Sequence, residues 1–307
     1  MNRRMWRTLA FTPDNVENLS MNLNCILLVK HLTYSMVTIA SLITRKILLM
    51  SLTTAFFELS AQNFYSMRKT FLERKGEVQE MELRFAEETP LTTTFDFLLR
   101  STSGDSLTGR FRLPKGEGPF TAALLCAGIE TGREVVEMIE GQDSVALVAV
   151  DYPFEGEMDF GGWGAVGSTF RLRSMAFRTV PLLLTLLDWM FAHKNIDERD
   201  VIVVSVSFGV FTGLPAAVVD ARVKQAVVVQ AGGGLSTVIA SNAERLGVPI
   251  PAWLAGWLGG GILAAFEPNK YVPHLAPRPL LMVNGEGDTM FPRESALVLY
   301  EEANEPK

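Results

Sequence analysis

The stretch VIVVSVSFGVFTG, residues 201–213, decides how this chain is read. Val201, Ile202, Val203 and Val204 make an unbroken β-branched run, the pattern of a strand buried on both faces. Ser207 follows, with Ser205 and Gly209 two residues to either side, and the apolar residues after Val210 read as a helix. Small residues flank a serine in this way where a strand turns sharply into a helix, because the two elements approach closely and the hydroxyl is left exposed at the apex. The general form is G-x-S-x-G, and Ser205 departs from it by one hydroxymethyl group. A small-x-Ser-x-Gly string is common by itself, so the weight lies on its placement between strand and helix. Ser207 is therefore a candidate nucleophile. To attack an acyl carbon it also needs a base and donors for the oxyanion that develops.

Working outward, TTTFDFLLRS and SLTGRFRLP are strand-like and TSGD between them supplies turn residues, which predicts a β-hairpin over 92–114. FTAALLCAG and SVALVAVD read as buried strands, with a helix over 130–140 between them. Residues 171–194 read as a helix with Pro181 as a kink or restart, and QAVVVQAG and PLLMVNG as further strands. Strands alternating with helices predict a mostly parallel, doubly wound sheet with an antiparallel start. Residues 233–272 exceed a usual crossover and read as a helical insertion. Its Trp253 and Trp257 are candidates for an apolar wall to the site, or for core. The expected organisation is a leader or hydrophobic extension over 1–49, an N-terminal helical segment over 50–91, and one α/β domain over 92–307.

Over 92–307 the chain resembles the α/β-hydrolase superfamily, most closely its dienelactone hydrolase, acetyl esterase and prolyl-oligopeptidase branch. The resemblance is carried by LLCAGIETGRE, VAVDYPFEGE, VSVSFG, DARVKQAVVVQAG and PRPLLMVNGEGDTMFP. It implies an α/β-hydrolase fold and a serine hydrolase acting on a carboxylic ester, thioester or amide through an acyl-enzyme on Ser207. It further implies oxyanion donors at the backbone N–H groups of Phe208 and Ile129, where Ala127-Gly128 stands in place of the His-Gly of many relatives. The orienting acid is expected at Asp288, in a Gly285-x-x-Asp288 spacing after a strand, with Glu286 as the fallback. Asp151 also ends a strand but precedes the serine, and is expected to be structural or loop-capping.

The superfamily order is serine, acid, then histidine, and no histidine follows Asp288. His274 precedes the strand leading to Asp288, His193 ends a helix, and His31 lies in the leader. Two readings follow. The expected one is a serine hydrolase truncated before its last strand and catalytic histidine, feeble in catalysis as it stands. The alternative is a non-catalytic binding protein with a hydrolase fold.

The sequence has 307 residues, 48% of them hydrophobic, and a formal net charge of −6, which gives no basic field for nucleic acid. Cys25 and Cys126 allow one bridge at most, so a reducing, cytoplasmic setting is expected. Three histidines without paired spacing point to no metal site, and no cofactor is expected. Gly162-x-Gly164-x-x-Gly167 has dinucleotide spacing, yet no strand leads directly into it, and it reads as an active-site loop. Residues 25–43 are long enough to span a bilayer but contain Lys30 and His31. The expectation is that translation starts at Met50, with a membrane anchor as the alternative. The expected partner is a small ester or acyl compound. Oligomeric state is not legible.

Overall fold

The β-branched runs form strands, as their crowded Cβ positions favour, and these assemble into one eight-stranded sheet in a computed structural model of the chain. The structure describes Lys46, Met50 and residues 62–153 and 157–307, and the chain divides into two units, Met1–Ala55 and Phe56–Lys307. The sheet belongs to the second unit. The expected leader, the apolar segment 25–43 and the first part of the 50–91 segment lie outside the described residues.

Strands β1 (Val78–Glu88), β2 (Thr92–Ser101) and β3 (Ser106–Pro114) pair antiparallel, and β3 pairs antiparallel with β5 (Ala146–Val150). From there the sheet is parallel through β4 (Phe120–Cys126), β6 (Ile196–Val206), β7 (Gln225–Val229) and β8 (Leu280–Val283). The spatial order is β1-β2-β3-β5-β4-β6-β7-β8. The fold is thus α/β with a mostly parallel sheet and an antiparallel start.

Along β4, alternate residues serve two cores. Ala122, Leu124 and Cys126 join the large cluster under the helices, while Ala123, Leu125 and Ala127 join a smaller one with Val135 and Val136. The large core is built on α2 (Gly164–Ala192), which buries Val180, Leu182, Leu183, Leu184, Leu186 and Leu187 almost completely. Each such leucine contributes roughly 1.5–3 kcal/mol by leaving water. By length and composition α2 could cross a bilayer, but its burial makes it a core helix. Pro181 does not interrupt it. The proline has no N–H for the carbonyl of Phe177, and Arg74 Nη1 reaches that oxygen instead at 3.5 Å.

Four expectations need correction. Within the expected helical segment over 50–91 the described residues are helical at Met50 and in α1 (Phe64–Arg74), with a capping box between Asn63 and Ser66, but residues 78–88 form β1. β1 is an edge strand exposed along most of its length, so VQEMELRFAEE carries little of the alternation that betrays a half-buried strand. The expected 130–140 helix is a single 3-10 turn, Gly132–Val136. Gly164 and Gly167, expected in a loop, lie in the first turns of α2, which begins seven residues before the predicted 171. Trp253 and Trp257, on α5 (Ala252–Ile262), are 70% and 53% exposed and so are not core. The 233–272 region is otherwise helical, with α4 (Leu235–Ala243), α5 and three short 3-10 turns.

Candidate active site

β6 ends at Val206 with extended backbone, φ −112° and ψ 125°, and the next residue, Ser207, has φ +53°. A side chain in that left-handed region costs of order 1–3 kcal/mol, so the surrounding structure must hold it there. A 3-10 turn over Ser207–Gly209 then feeds α3 (Val210–Val219). Glycine at 209 is demanded by close approach: a Cβ there would lie 1.8 Å from the Cys126 carbonyl oxygen at the end of β4. The departure at Ser205 is absorbed on the other side of the turn. Ser205 is buried, and a Cβ on Gly213 would stand 2.4 Å from its Oγ, so Gly213 of α3 leaves the room that the serine occupies. Ser207 itself is half-buried.

The sheet order places this turn where the winding of the sheet reverses. The chain leaves β4 toward β5 on one side and leaves β6 toward β7 on the other, so β4 and β6 flank the point where the winding reverses. In open parallel sheets the carboxyl ends at such a point form the ligand crevice. Ser207 and Phe208 follow β6, and Ile129 lies in the turn that follows β4. The Ile129 N–H has no backbone acceptor among the described residues, and Phe208 stands in the first turn of a helix, where N–H groups have no intrahelical partner.

The loop over 127–133 is gripped at both ends from the end of β5. Asp151 accepts hydrogen bonds from the Arg133 N–H at 2.9 Å, from Arg133 Nε at 2.7 Å and from the Thr108 hydroxyl at 2.9 Å. Burial opposes ionisation of Asp151, but these bonds and the Arg133 charge outweigh it and hold the carboxyl below its ordinary range. Tyr152, buried, donates to the Ala127 carbonyl at 2.6 Å. Sequence reasoning missed Tyr152, since a tyrosine after a strand carries no signal of what its hydroxyl will meet.

Asp288 follows β8, two strands from β6 at the same carboxyl edge. Its Oδ1 accepts from the N–H groups of Met290 and Phe291 at 2.8 and 3.0 Å. A row of rings connects its loop to the serine turn: Tyr152 on Phe208 at 5.3 Å, Phe208 on Phe211 at 5.5 Å, and Phe211 on Phe291 at 6.2 Å between centroids. Asp288 and Glu286 both line a cavity of about 550 Å³ with Met282, Asn284, Arg293 and Tyr300, and Ser207 is not among its walls.

Neither described histidine is at this edge. His193 caps the C-terminus of α2, before β6 begins, and packs its ring on Phe111 and Trp189. His274 lies before β8 and stacks on Phe64 at 3.9 Å. Burial, joined at His193 by Lys194, holds both imidazoles below their ordinary pKa. The Cys126 thiol is buried and pushed up to about 12, which leaves it no thiolate for nucleophilic work. Among the described residues no three His, Cys, Asp or Glu side chains converge as a metal centre requires.

No protein-family profile matches the sequence, and no curated protein matches it. Solved structures do match by shape. An acetyl xylan esterase from a Thermoanaerobacterium species superposes with a TM-score of 0.57 at 15% identity, over 82% of this chain and 88% of that one. An acetyl xylan esterase from a Paenibacillus species gives 0.56 at 16%, over 78% and 83%. The α/β hydrolase GrgF from a Penicillium species gives 0.50 at 16%, over 70% and 87%. The mixed sheet, with its antiparallel start and its mostly parallel remainder, and these matches in shape together give the chain the α/β-hydrolase fold.

Proposed function

We propose that this protein is a serine hydrolase that cleaves a small carboxylic ester through an acyl-enzyme on Ser207. The observation that carries the reading is the backbone of Ser207, held at φ +53° on a strand-to-helix turn beside the reversal point of a parallel sheet. A nucleophile elbow has this geometry, and strained backbone of this kind clusters at functional sites. Ser207 Oγ attacks the acyl carbon and gives up its proton to solvent, since neither described histidine stands at this edge, and the departing alkoxide takes a proton from solvent. Water next attacks the acyl-serine and releases the acid. In both steps the negative charge on the acyl oxygen falls between the N–H groups of Phe208 and Ile129, which form the oxyanion hole. Asp288, its carboxylate fixed by two backbone N–H groups, takes the superfamily acid's place after β8, with no described histidine beside it to orient. Acetyl xylan esterases among the similar structures support a short acyl group on the substrate.

The placement of His193 and His274 favours a second reading, a hydrolase-fold binding protein, because neither ring is at the Ser207 edge. One experiment separates the two. The whole chain is treated with a fluorophosphonate and then assayed with p-nitrophenyl acetate. An adduct on the Ser207 peptide that disappears in Ser207→Ala, together with turnover, supports the hydrolase. Folded protein that binds esters yet gives neither adduct nor turnover makes it a binding protein.

A further inference from the structure

We infer that Tyr152 is a positioning residue for the oxyanion hole, joining the loop that carries Ile129 to the turn that carries Phe208. The inference rests on the serine hydrolase reading of Ser207. Tyr152 touches both halves of the hole through different parts of one side chain. Its hydroxyl donates to the Ala127 carbonyl at 2.6 Å, and its ring meets Phe208 edge-to-face, 5.3 Å between centroids and 85° between planes. The Ala127 carbonyl belongs to the peptide unit shared with Gly128, so holding that oxygen sets the plane from which the chain enters Ile129. The next peptide, which carries the Ile129 N–H, is held through the Gly128 carbonyl, which accepts from the Thr131 and Gly132 N–H groups at 3.1 and 3.0 Å, so Tyr152 fixes the near side of Gly128 and the turn fixes the far side.

The grip has a second point in the neighbouring residue. Asp151 holds the Arg133 N–H and side chain, and a Cβ on Gly132, φ +47°, would lie 2.6 Å from Asp151 Oδ1. Loop 127–133 is therefore clamped from both ends by one dipeptide, and of the two residues only Tyr152 also reaches the serine turn. The phenol sits against the Thr212 side chain of α3 as well, with burial first and Cys126 second pushing it far above its ordinary pKa and Thr212 opposing them. It stays a neutral donor at every working pH. A phenylalanine would fill the ring's space equally well, so the hydroxyl serves the loop and not the packing.

Removing one oxyanion donor costs about 10²–10³ in kcat, and moving a donor without removing it should cost less, roughly 10- to 100-fold. The test uses the whole chain and the variants Tyr152→Phe and Phe208→Leu, assayed with p-nitrophenyl acetate and with phenylboronic acid, which forms a tetrahedral adduct on a reactive serine. Tyr152→Phe should keep its KM within about two-fold while kcat and boronate affinity fall together, since only charge on the tetrahedral oxygen feels the hole. Phe208→Leu, which loosens the same link from the other side, should show the same split. A merely structural tyrosine would lower Tm and leave kcat and boronate affinity of the folded fraction unchanged, and that result overturns the inference with Ser207 labelling intact. If wild-type Ser207 takes no fluorophosphonate, the hydrolase reading falls, and this inference with it.

Discussion

Ser207 is held where its own side chain resists being. Relieving the φ of +53° with glycine should stabilise the fold by about 1 kcal/mol relative to Ser207→Ala, while both variants lose fluorophosphonate labelling. Thermal melts of the pair test this: equal Tm values mean that the turn stores no strain. The neighbouring glycines divide the work differently. Gly213→Ala pushes a methyl group toward Ser205 Oγ and toward the Cys126 side chain, 3.0 Å from its Cβ, and should destabilise by roughly 1–3 kcal/mol, the usual cost of overpacking. Adding Ser205→Gly should return part of that loss, because one of the two obstacles is removed. A double variant no more stable than Gly213→Ala alone contradicts the pairing of Ser205 with Gly213.

Among the elements, the loop after β4 depends on a carboxylate. Folded Asp151 ionises at lower pH than an unfolded aspartate, so what it adds to stability is complete above about pH 5. That contribution is lost as the pH falls through about 4 toward the depressed value. Asp151→Asn should lower Tm at neutral pH and flatten the acid limb of a Tm-against-pH curve, and parallel limbs in the two proteins would remove Asp151 from the account. The same end of β5 shows how unevenly elements declare themselves. β4, β5 and β6 were legible because strands buried on both faces are continuous apolar runs. β1 was not, since an exposed edge strand can be polar at nearly every position and its pairing with β2 lies in backbone hydrogen bonds. The 3-10 turn over Gly132–Val136 was read as a helix for a related reason: Val135, Val136 and Ile139 have helical spacing, yet what they cover is the small core on one face of β4.

At the scale of the whole molecule, the β8 end of the sheet presents an exposed apolar edge. β8 pairs with β7 on one side only among the described residues, and on the other the Leu280 N–H donates to the Pro306 carbonyl. Leu281 and Val283 are 49% and 50% exposed, and Leu297, Val298 and Tyr300 of α6 (Arg293–Glu302) are exposed nearby. An apolar strand edge of this kind templates association between copies. Light scattering should show mass rising with concentration, and Val283→Lys should suppress the rise by placing a charge on the exposed face. A wild-type mass independent of concentration would show that the edge is protected.

The strand-turn-helix at Ser207, the alternation that makes a parallel sheet, the helical character of residues 233–272 and the position of Asp288 just past β8 were all determined by sequence. Each is a local matter, set by β-branched runs, small residues at a turn and the spacing of apolar positions. Tertiary structure alone decided that β4 lies beside β6, which brings Ile129 to the edge that bears Ser207, and that Tyr152 stands between them. It also decided that His193 and His274 pack against aromatic rings away from that edge. Residue type reveals what a side chain can do, but hydrogen bonds and ring contacts between residues far apart in the chain exist only once the sheet order has been chosen. That order is set by the burial of the whole core and by no single stretch of it.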